Sequence, residues 1–198
     1  PLYASLPPDM QSRVFHPHDP NVRRIIFATN IAETSLTVPG IVFVIDPGVV
    51  KQVEYDAMTG MNALKVVPIS SVQAKQRAGR AGRTQAGRCY RLYTKDALEL
   101  DMPAITRPEI QRTCLVGTIL YLKTLNLKGL DVMTFDFLDP PDTALIADAL
   151  RQLYFVGAID LDGKATSIGR EMSSLPLEPC LSRAMVEAKR LDCVADTA

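Results

Sequence analysis

The chain has 198 residues, of which 47% are hydrophobic, and its 22 basic side chains balance 22 acidic ones. This composition suffices for one large or two small domains with a real core, and no apolar run approaches the roughly 18 residues of a membrane span. Since the net charge is zero, any signal for nucleic acid must be local, and the absence of a signal-peptide pattern argues against secretion.

The first hundred residues alternate between apolar runs and turn signals. The opening "LYASLP" is typical of a strand end that enters a turn, and Pro8 is placed to start a helix. The runs "RRIIFAT" (23–29) and "IVFVIDPG" (41–48) are expected to be strands buried on both faces, with a short helix between them. This order predicts a parallel α/β sheet with a right-handed crossover.

A β-hairpin and a further strand are expected next. Residues 49–55 and 61–67 alternate in polarity around the turn-like "AMTG", which predicts a protruding hairpin. The arginine-rich stretch that follows is interpreted as a helix, and "RCYRLYT" as another strand. Together they would complete an α/β domain near residue 95.

From about residue 103 the pattern becomes helical. Thr106 and Glu109 form a predicted capping box, while Asp142 is the expected cap of the helix "TALIADALRQLYFV" and Gly157 closes it. The segment "AIDLDGKATSIG" predicts a small hairpin with an Asp-Gly turn. Two helices followed by a β-hairpin are the arrangement of a winged-helix domain, in which the hairpin is the wing. The segment "SSLPLEPCLSRAMVEAKRL" is expected to start a further helix.

The cysteines and histidines give no metal signal. The four cysteines include no C-x-x-C pair, so neither a zinc site nor a disulfide framework is expected, and the thiols are interpreted as reduced core side chains. His16 and His18 flank a proline in a polar loop. A metal site would need more ligands than these two.

The segment "QRAGRAGRT" (76–84) carries the strongest functional signal. On a helix, Gln76, Arg80 and Arg83 share one face, and no acidic residue occurs between Lys75 and Arg91. A guanidinium offers a planar fork of donors for phosphate oxygens, and glycine lets a ligand approach the backbone. These features favour a phosphate site over a solvated basic helix. They leave open whether the phosphate belongs to a nucleotide or to RNA.

A second candidate lies in "ATNIAETSLT", where a predicted strand ends. Asn30 is the expected N-cap, with Glu33 as its capping partner. Exposed amides at such a helix start attract phosphate, and ligands of open α/β sheets collect at the carboxyl ends of strands. The alternative is a well-made cap in which Glu33 is purely structural.

Together these stretches resemble the DEAH-box ATP-dependent RNA helicases of superfamily 2. "TNIAETSLT" is similar to motif V and "QRAGRAGR" to motif VI, and "LYASLPPDMQSRVF", "VIDPG" and "FDFLDPP" also look like this family. The resemblance covers almost the whole chain. It implies an α/β RecA-like domain at 1–100 with its hairpin at about 49–67, a winged helix at 101–168, and the start of a helical ratchet domain at 169–198.

The resemblance assigns a nucleotide role to four side chains. Gln76, Arg80 and Arg83 match the positions that contact the γ-phosphate of ATP and the attacking water, with the arginines acting as fingers. Phe15 matches the aromatic residue that stacks on the nucleotide base, which would give weak base selectivity because every base has a π face. The alternative for Phe15 is an ordinary core side chain.

The resemblance also assigns a role in RNA binding. Thr29 and Asn30 match positions that hold the RNA backbone, and Glu33, Thr34 and Ser35 lie in the segment that couples this grip to the nucleotide. The hairpin resembles the element that helps to separate or guide strands. The implied function is an ATP-dependent helicase that translocates on single-stranded RNA and remodels RNA or its protein complexes.

Two motifs of a complete enzyme are not in this sequence, namely G-x-x-x-x-G-K-[ST] and D-E-A-H. The resemblance places phosphate cradling and most magnesium ligands in a preceding RecA-like domain. ATP with Mg²⁺ is thus the expected cofactor of the complete protein, and this segment alone is predicted not to hydrolyse ATP. Expected partners are single-stranded RNA, the preceding domain and glycine-rich activator (G-patch) proteins, with no membrane. A nuclear location is favoured over a cytoplasmic one, while the resemblance leaves the pathway open among mRNA splicing, ribosome assembly and bacterial RNA processing.

Two other functions remain open from the sequence. The first is a non-enzymatic winged-helix module that binds nucleic acid, but the helix 143–156 with its cap holds one arginine, two aspartates and no basic run. The second is an inactive helicase-like scaffold. The intact set of Gln76, Arg80 and Arg83 weighs against a decayed site.

Overall fold

A computed structural model describes residues 1–17, 19, 21–127 and 129–197, so His18 lies outside the described residues. The chain divides into two compact units. The first holds Pro1–Gln52 with Leu64–Thr106, and the second holds Val53–Ala63 with Arg107–Ala198. Among the residues that the structure describes, no helix has the length and apolar character needed to cross a membrane.

The first unit opens with helix α1 (Pro8–Ser12), which begins at Pro8 as predicted, and a 3₁₀ turn follows it over Arg13–Phe15. Proline suits the first helical position because the N–H that it lacks would be unpaired there. The helix leads into the extended segment 23–29.

The expectation of a strand at 23–29 is wrong. The segment forms only a single parallel bridge, between Leu2 and Ala28. The pairing stops because the chain turns at once, with the amide of Leu6 donating to the carbonyl of Tyr3. One bridge is too short to count as a strand.

Helix α2 (Ile31–Thr34) and strand β1 (Phe43–Asp46) come next, as predicted. Phe43 and Ile45 are 62% and 68% exposed, so the expectation that this strand is buried on both faces is wrong. The sheet is only two strands wide, and among the described residues nothing covers the face that carries these two side chains.

The predicted hairpin is present as strands β2 (Val49–Asp56) and β3 (Met61–Pro68). Its turn contains Gly60 at φ 67°, a conformation that favours glycine. Helix α3 (Ser71–Ala78) and strand β4 (Arg88–Arg91) follow. β4 pairs with β1 in parallel, with Asp46 opposite Arg91, which confirms the parallel sheet. A π-helical turn over Ala97–Asp101 completes the unit.

The capping box predicted for Thr106 and Glu109 is wrong. Pro108 takes the N-cap position in an extended conformation, and only a 3₁₀ turn over Glu109–Gln111 follows. The Thr106 hydroxyl instead lies 3.1 Å from the hydroxyl of Ser70. The longer helix α4 (Val116–Thr124) starts five residues after the turn.

The second unit is built around helix α5 (Thr143–Phe155), which begins and ends as predicted. The Asp142 carboxylate accepts the amide of Ala144 at 2.9 Å, and Gly157 follows the helix at φ 71°. The expected wing is reduced to one antiparallel bridge between Ile159 and Ala165. Helices α4 and α5 supply most of the apolar core, together with Val132, Ala158, Ile159 and Met172.

Three more helices complete the second unit, α6 (Ser167–Ser173), α7 (Pro179–Arg190) and α8 (Val194–Thr197). α6 was not predicted. The Thr166 side chain caps it by accepting the amide of Gly169 at 3.0 Å. A Cβ at Gly169 would lie 2.1 Å from the carbonyl oxygen of Ala158, so only glycine fits where α6 passes the wing.

The hairpin tip is held within the second unit by a polar cluster. The Tyr55 hydroxyl donates to Asp148 Oδ2 at 2.6 Å. Gln152 Nε2 donates to the Tyr55 hydroxyl oxygen and to Asp148 Oδ2, each at 2.7 Å. Arg151 pairs with the other carboxylate oxygen. Burial opposes ionisation of Asp148, but these hydrogen bonds outweigh it and lower its pKa. The two charged groups of α5, Asp148 and Arg151, are thus paired with each other, and only the carboxylate is buried.

Replacing Tyr55 by phenylalanine should loosen the hairpin tip. The buried Asp148 carboxylate would lose one donor, at a cost of about 1–3 kcal/mol. Hydrogen–deuterium exchange of residues 53–63 is therefore expected to accelerate about tenfold. Tyr121→Phe is the matched control, because Tyr121 is 61% exposed in the same unit. Unchanged exchange in Tyr55→Phe would show that the cluster does not hold the tip.

Candidate functional site

The candidate site lies within the first unit and is organised by helix α3. Ser70 caps this helix, because its hydroxyl accepts the amide of Gln73 at 3.2 Å while the Gln73 side chain accepts the amide of Ser70 at 3.0 Å. The S-x-x-Q spacing of a capping box is visible in the sequence but did not enter the prediction. The cap fixes where the arginine-rich stretch begins.

The arginine-rich stretch is not one continuous α-helix, contrary to the expectation. α3 ends at Ala78, and a 3₁₀ turn over Gly79–Gly82 carries Arg80, while Arg83 follows the turn. Glycine costs roughly 1 kcal/mol relative to alanine inside a helix, so the two glycines favour this change of winding. Gln76 remains on α3 as an exposed side chain.

Arg80 and Arg83 both reach the loop that follows α2. Arg80 Nη1 donates to the carbonyl of Leu36 at 3.3 Å, and Arg83 Nη1 donates to the hydroxyl of Thr37 at 2.8 Å. In the described part of the chain neither guanidinium forms an ion pair, and Arg80 Nε is buried without a hydrogen-bond partner. The structure thus brings together two predicted residues and leaves their charge unneutralised.

The like charges of Arg80 and Arg83 repel each other in this arrangement. Burial, and secondarily the charge of Arg83, lower the pKa of Arg80, and Glu33 opposes this only in part. An arginine stays protonated even so. An anion placed between the guanidinium groups would relieve the repulsion between Arg80 and Arg83.

The backbone beside this pair is open. At Gly79 and Gly82, apart from the adjoining residues and the local helix backbone, no described atom lies within 4 Å of the place where a Cβ would stand. The fold therefore does not need glycine there for its own packing. This agrees with the interpretation that a ligand approaches the backbone at these positions.

Arg77, the first arginine of the stretch, has a different environment. Arg77 Nε donates to Glu33 Oε2 and Arg77 Nη1 donates to Asp46 Oδ1, each at 2.9 Å. Asp46 also accepts the Tyr93 hydroxyl at 2.8 Å and the amide of Gly48 at 3.0 Å. No acidic residue lies near Arg77 in the sequence, but the fold brings these two distant carboxylates to it. We call Glu33, Asp46, Arg77 and Tyr93 the Arg77 network.

The capping role predicted for Glu33 is also wrong. Asn30 has helical backbone angles and makes no side-chain cap, and Glu33 is 6% exposed. A buried carboxylate needs a partner of opposite charge, and Arg77 supplies it. Sequence reasoning missed Asp46, Arg77 and Tyr93 as a set, because the ion-pair partners of Arg77 lie 44 and 31 residues away.

Within the Arg77 network, the guanidinium of Arg77 stays charged over a wide pH range. Burial disfavours the charged form of Arg77, but its hydrogen bonds to Glu33 and Asp46 and their charges outweigh this and raise its pKa. Burial and the hydrogen bond to Asp46 raise the pKa of Tyr93 to about 12. The tyrosine therefore remains a donor to Asp46 at neutral pH.

The residues predicted to hold RNA lie on the surface just before α2. Thr29 and Asn30 are exposed, and the amide of Thr29 donates to the carbonyl of Leu2 at 3.0 Å. Thr34 and Ser35 are exposed at the end of α2, with their hydroxyl oxygens 3.4 Å apart. These four side chains are free to meet a ligand, while Glu33 between them faces inward to Arg77.

Phe15 is 41% exposed at the end of the 3₁₀ turn after α1. Its neighbours Arg13 and Val14 line a hollow of about 210 Å³ with Leu6, Met10 and Ile26. The exposure of the Phe15 ring argues against an ordinary core position. Stacking by Phe15 stays a prediction.

Comparison with known families agrees with this architecture. Residues 1–85 match the helicase conserved C-terminal domain, and residues 149–177 match the helicase-associated domain (HA2), winged-helix. The chain is 48% identical over 193 residues to the pre-mRNA-splicing factor ATP-dependent RNA helicase prp22 of Schizosaccharomyces pombe. That alignment covers 98% of this chain and only 16% of the relative.

Solved structures show the same relationship. Two crystal structures of the Escherichia coli helicase HrpB, described as a DEAH/RHA helicase and as a DExH-box NTPase, superpose with TM-scores of 0.88 and 0.85 at 32% identity. Each superposition covers 99% of this chain and 24% of HrpB. This chain therefore belongs to the DEAH-box helicase family, of which it carries the conserved C-terminal helicase domain and the associated winged helix.

Proposed function

We propose that the complete protein is an ATP-dependent RNA helicase in which this chain supplies the arginine side of the ATP site. The observation that carries the proposal is the pairing of Arg80 and Arg83 on the loop of Leu36 and Thr37, with no acidic partner among the described residues. Two fixed positive charges beside open glycine backbone suit a polyphosphate. The similarity to proteins named ATP-dependent helicases supports ATP as that ligand.

The chemistry that this chain would contribute is electrostatic. The γ-phosphoryl group carries spreading negative charge in its transition state, and arginine forks aimed at it lower the barrier. In this proposal Arg80 and Arg83 hold the γ-phosphate, Gln76 orients the attacking water, and Phe15 stacks on the base. Mg²⁺, when bound, neutralises the phosphates, and its main ligands are proposed to lie in a preceding RecA-like domain.

The RNA side of the proposal uses the surface corner at Thr29 and Asn30. This corner leads directly into α2, and α2 leads into the loop that Arg80 and Arg83 touch. A change at the phosphate therefore has a short covalent and hydrogen-bonded route to the RNA grip. We propose that this route converts ATP turnover into stepping along single-stranded RNA.

We also propose a cellular location, a class of substrate and partners for this activity. Similarity to a pre-mRNA-splicing factor supports RNA processing in the nucleus, with RNA–protein complexes as substrates. Single-stranded RNA and the preceding RecA-like domain are the proposed partners. Docking of glycine-rich activator (G-patch) proteins stays a prediction from the family resemblance.

Measurement of ATP turnover tests the proposed function. The complete protein is expected to release phosphate from ATP, faster when a single-stranded oligoribonucleotide is present. The 198-residue chain alone is expected to show no turnover above a protein-free blank. Substantial turnover by the isolated chain that Arg80→Ala abolishes would contradict the proposal that hydrolysis also needs a preceding RecA-like domain. A complete protein without any ATP turnover would favour the alternative of an inactive helicase-like scaffold.

A further inference from the structure

Arg77 stands between the two ends of the proposed coupling route. Arg77 lies on α3, one residue after Gln76 and three before Arg80. Its guanidinium extends to α2 through Glu33 and to the end of β1 through Asp46. The side chains are largely buried, with 14% exposure for Arg77, 6% for Glu33 and 0% for Asp46.

The two ion pairs of Arg77 connect to different parts of the unit. Asp46 belongs to the sheet and is itself held by Tyr93 and by the amide of Gly48. Glu33 belongs to the four-residue helix α2, which starts right after Thr29 and Asn30. The Asp46 pair therefore anchors α3 to the sheet, and the Glu33 pair connects α3 to the segment proposed to hold RNA.

The planar guanidinium of an arginine suits the connection of α2, α3 and β1 better than the ammonium group of a lysine would. Arg77 uses Nε for Glu33 and Nη1 for Asp46 and the carbonyl of Val49, so the direction of one hydrogen bond constrains the others. A movement of α2 that shifts Glu33 would rotate the same rigid guanidinium on α3. Arg80 in the 3₁₀ turn and Arg83 after it would then change position relative to a bound phosphate.

We propose that Arg77 is a positioning residue that couples RNA occupancy at Thr29 and Asn30 to the phosphate-facing pair Arg80 and Arg83 through its ion pair with Glu33. The inference rests on the proposed function and adds to it the residue that joins the two sites. Arg77 itself touches neither ligand. Its effect should appear in the coupling between ligands more than in the affinity for either one.

The test measures binding linkage in the complete protein. The affinity for single-stranded oligo-uridine RNA is measured with and without a non-hydrolysable ATP analogue, and the ratio of the two dissociation constants gives the coupling. In Arg77→Lys and Glu33→Gln this ratio is expected to move toward one by about fivefold or more, within the usual range of allosteric coupling. Asp46→Asn is expected to lower thermal stability and to change the ratio less than Glu33→Gln does, and Arg107→Ala, an exposed arginine, is expected to change neither stability nor ratio.

Several results would overturn the inference. The ratio could stay at the wild-type value in both Arg77→Lys and Glu33→Gln, or fall equally in Asp46→Asn. Loss of a cooperative unfolding transition in both variants would assign the pair a purely structural role. Failure of the proposed function looks different, because the wild-type protein would then show no ATP turnover or no dependence of RNA affinity on the analogue.

Discussion

Replacing Arg83 by alanine in the complete protein is expected to lower the rate of ATP hydrolysis about 10³- to 10⁵-fold, the range that an arginine finger contributes. RNA affinity should remain largely intact. Arg83 is exposed, and its one hydrogen bond in the described structure goes to the Thr37 hydroxyl, so its removal leaves no buried charge behind. The loss would therefore fall on the reaction and not on the fold.

Different substitutions at Arg83 should lower ATP turnover to different extents. Arg83→Lys keeps the charge and loses the planar fork, so its turnover should lie between that of the wild type and that of Arg83→Ala. Single-turnover ATP hydrolysis and RNA binding by fluorescence anisotropy measure the two effects separately. Arg107→Ala serves as the matched control, since this arginine is exposed and lies outside the candidate site.

A parallel loss of RNA affinity and ATP turnover in Arg83→Ala would contradict the assignment. It would favour the other interpretation of the arginine stretch, in which the guanidinium groups bind RNA phosphates directly. RNA binding would then also depend more weakly on salt in the variant, because one fewer counterion would be released.

Replacing Gly87 by alanine is expected to destabilise the first unit by about 3 kcal/mol or more, at or above the upper end of overpacking costs. A Cβ there would lie 1.6 Å from the carbonyl oxygen of Ala81 and 2.7 Å from that of Val42. Both obstacles are backbone atoms, so relief would have to move either the 3₁₀ turn that carries Arg80 or the residue before β1. Thermal unfolding of the complete protein should show the transition of this unit about 10 °C lower or more.

Gly82→Ala is the matched control for this effect. No described atom lies within 4 Å of its would-be Cβ, so the fold should keep its stability or gain slightly from a stiffer unfolded chain. Equal melting temperatures of Gly87→Ala and the wild type would show that the turn relaxes easily. A drop in ATP turnover by Gly82→Ala with an intact fold would add support for close approach of a ligand.

Several features were predictable from the sequence because their causes are local. Pro8 and Asp142 fix the starts of α1 and α5, Gly157 follows α5 in the conformation that only glycine adopts readily, and the alternation around "AMTG" produces the hairpin. The motif similarity identified the family, and the comparisons confirm it. The positions matched to ATP and RNA stay predictions.

Other predictions failed where tertiary contacts compete with local signals. Glu33 follows Asn30 at the spacing of a capping box, yet burial beside Arg77 offers its carboxylate a charged partner that a cap cannot match. Thr106 likewise meets Ser70 and not Glu109. The segment 23–29 has the composition of a strand but finds only Leu2 to pair with.

The order of residues alone determined the family, the starts of α1 and α5 and the β-hairpin, and it marked the arginine-rich stretch as a candidate phosphate site, since these depend on spacing along the chain. Only the folded arrangement decided which of those arginines keeps a free charge. Arg77 is neutralised by carboxylates 44 and 31 residues away, whereas Arg80 and Arg83 rest on a neutral carbonyl and a hydroxyl. The physical reason is that charge compensation depends on distances of a few ångströms in space, which spacing in the sequence does not encode.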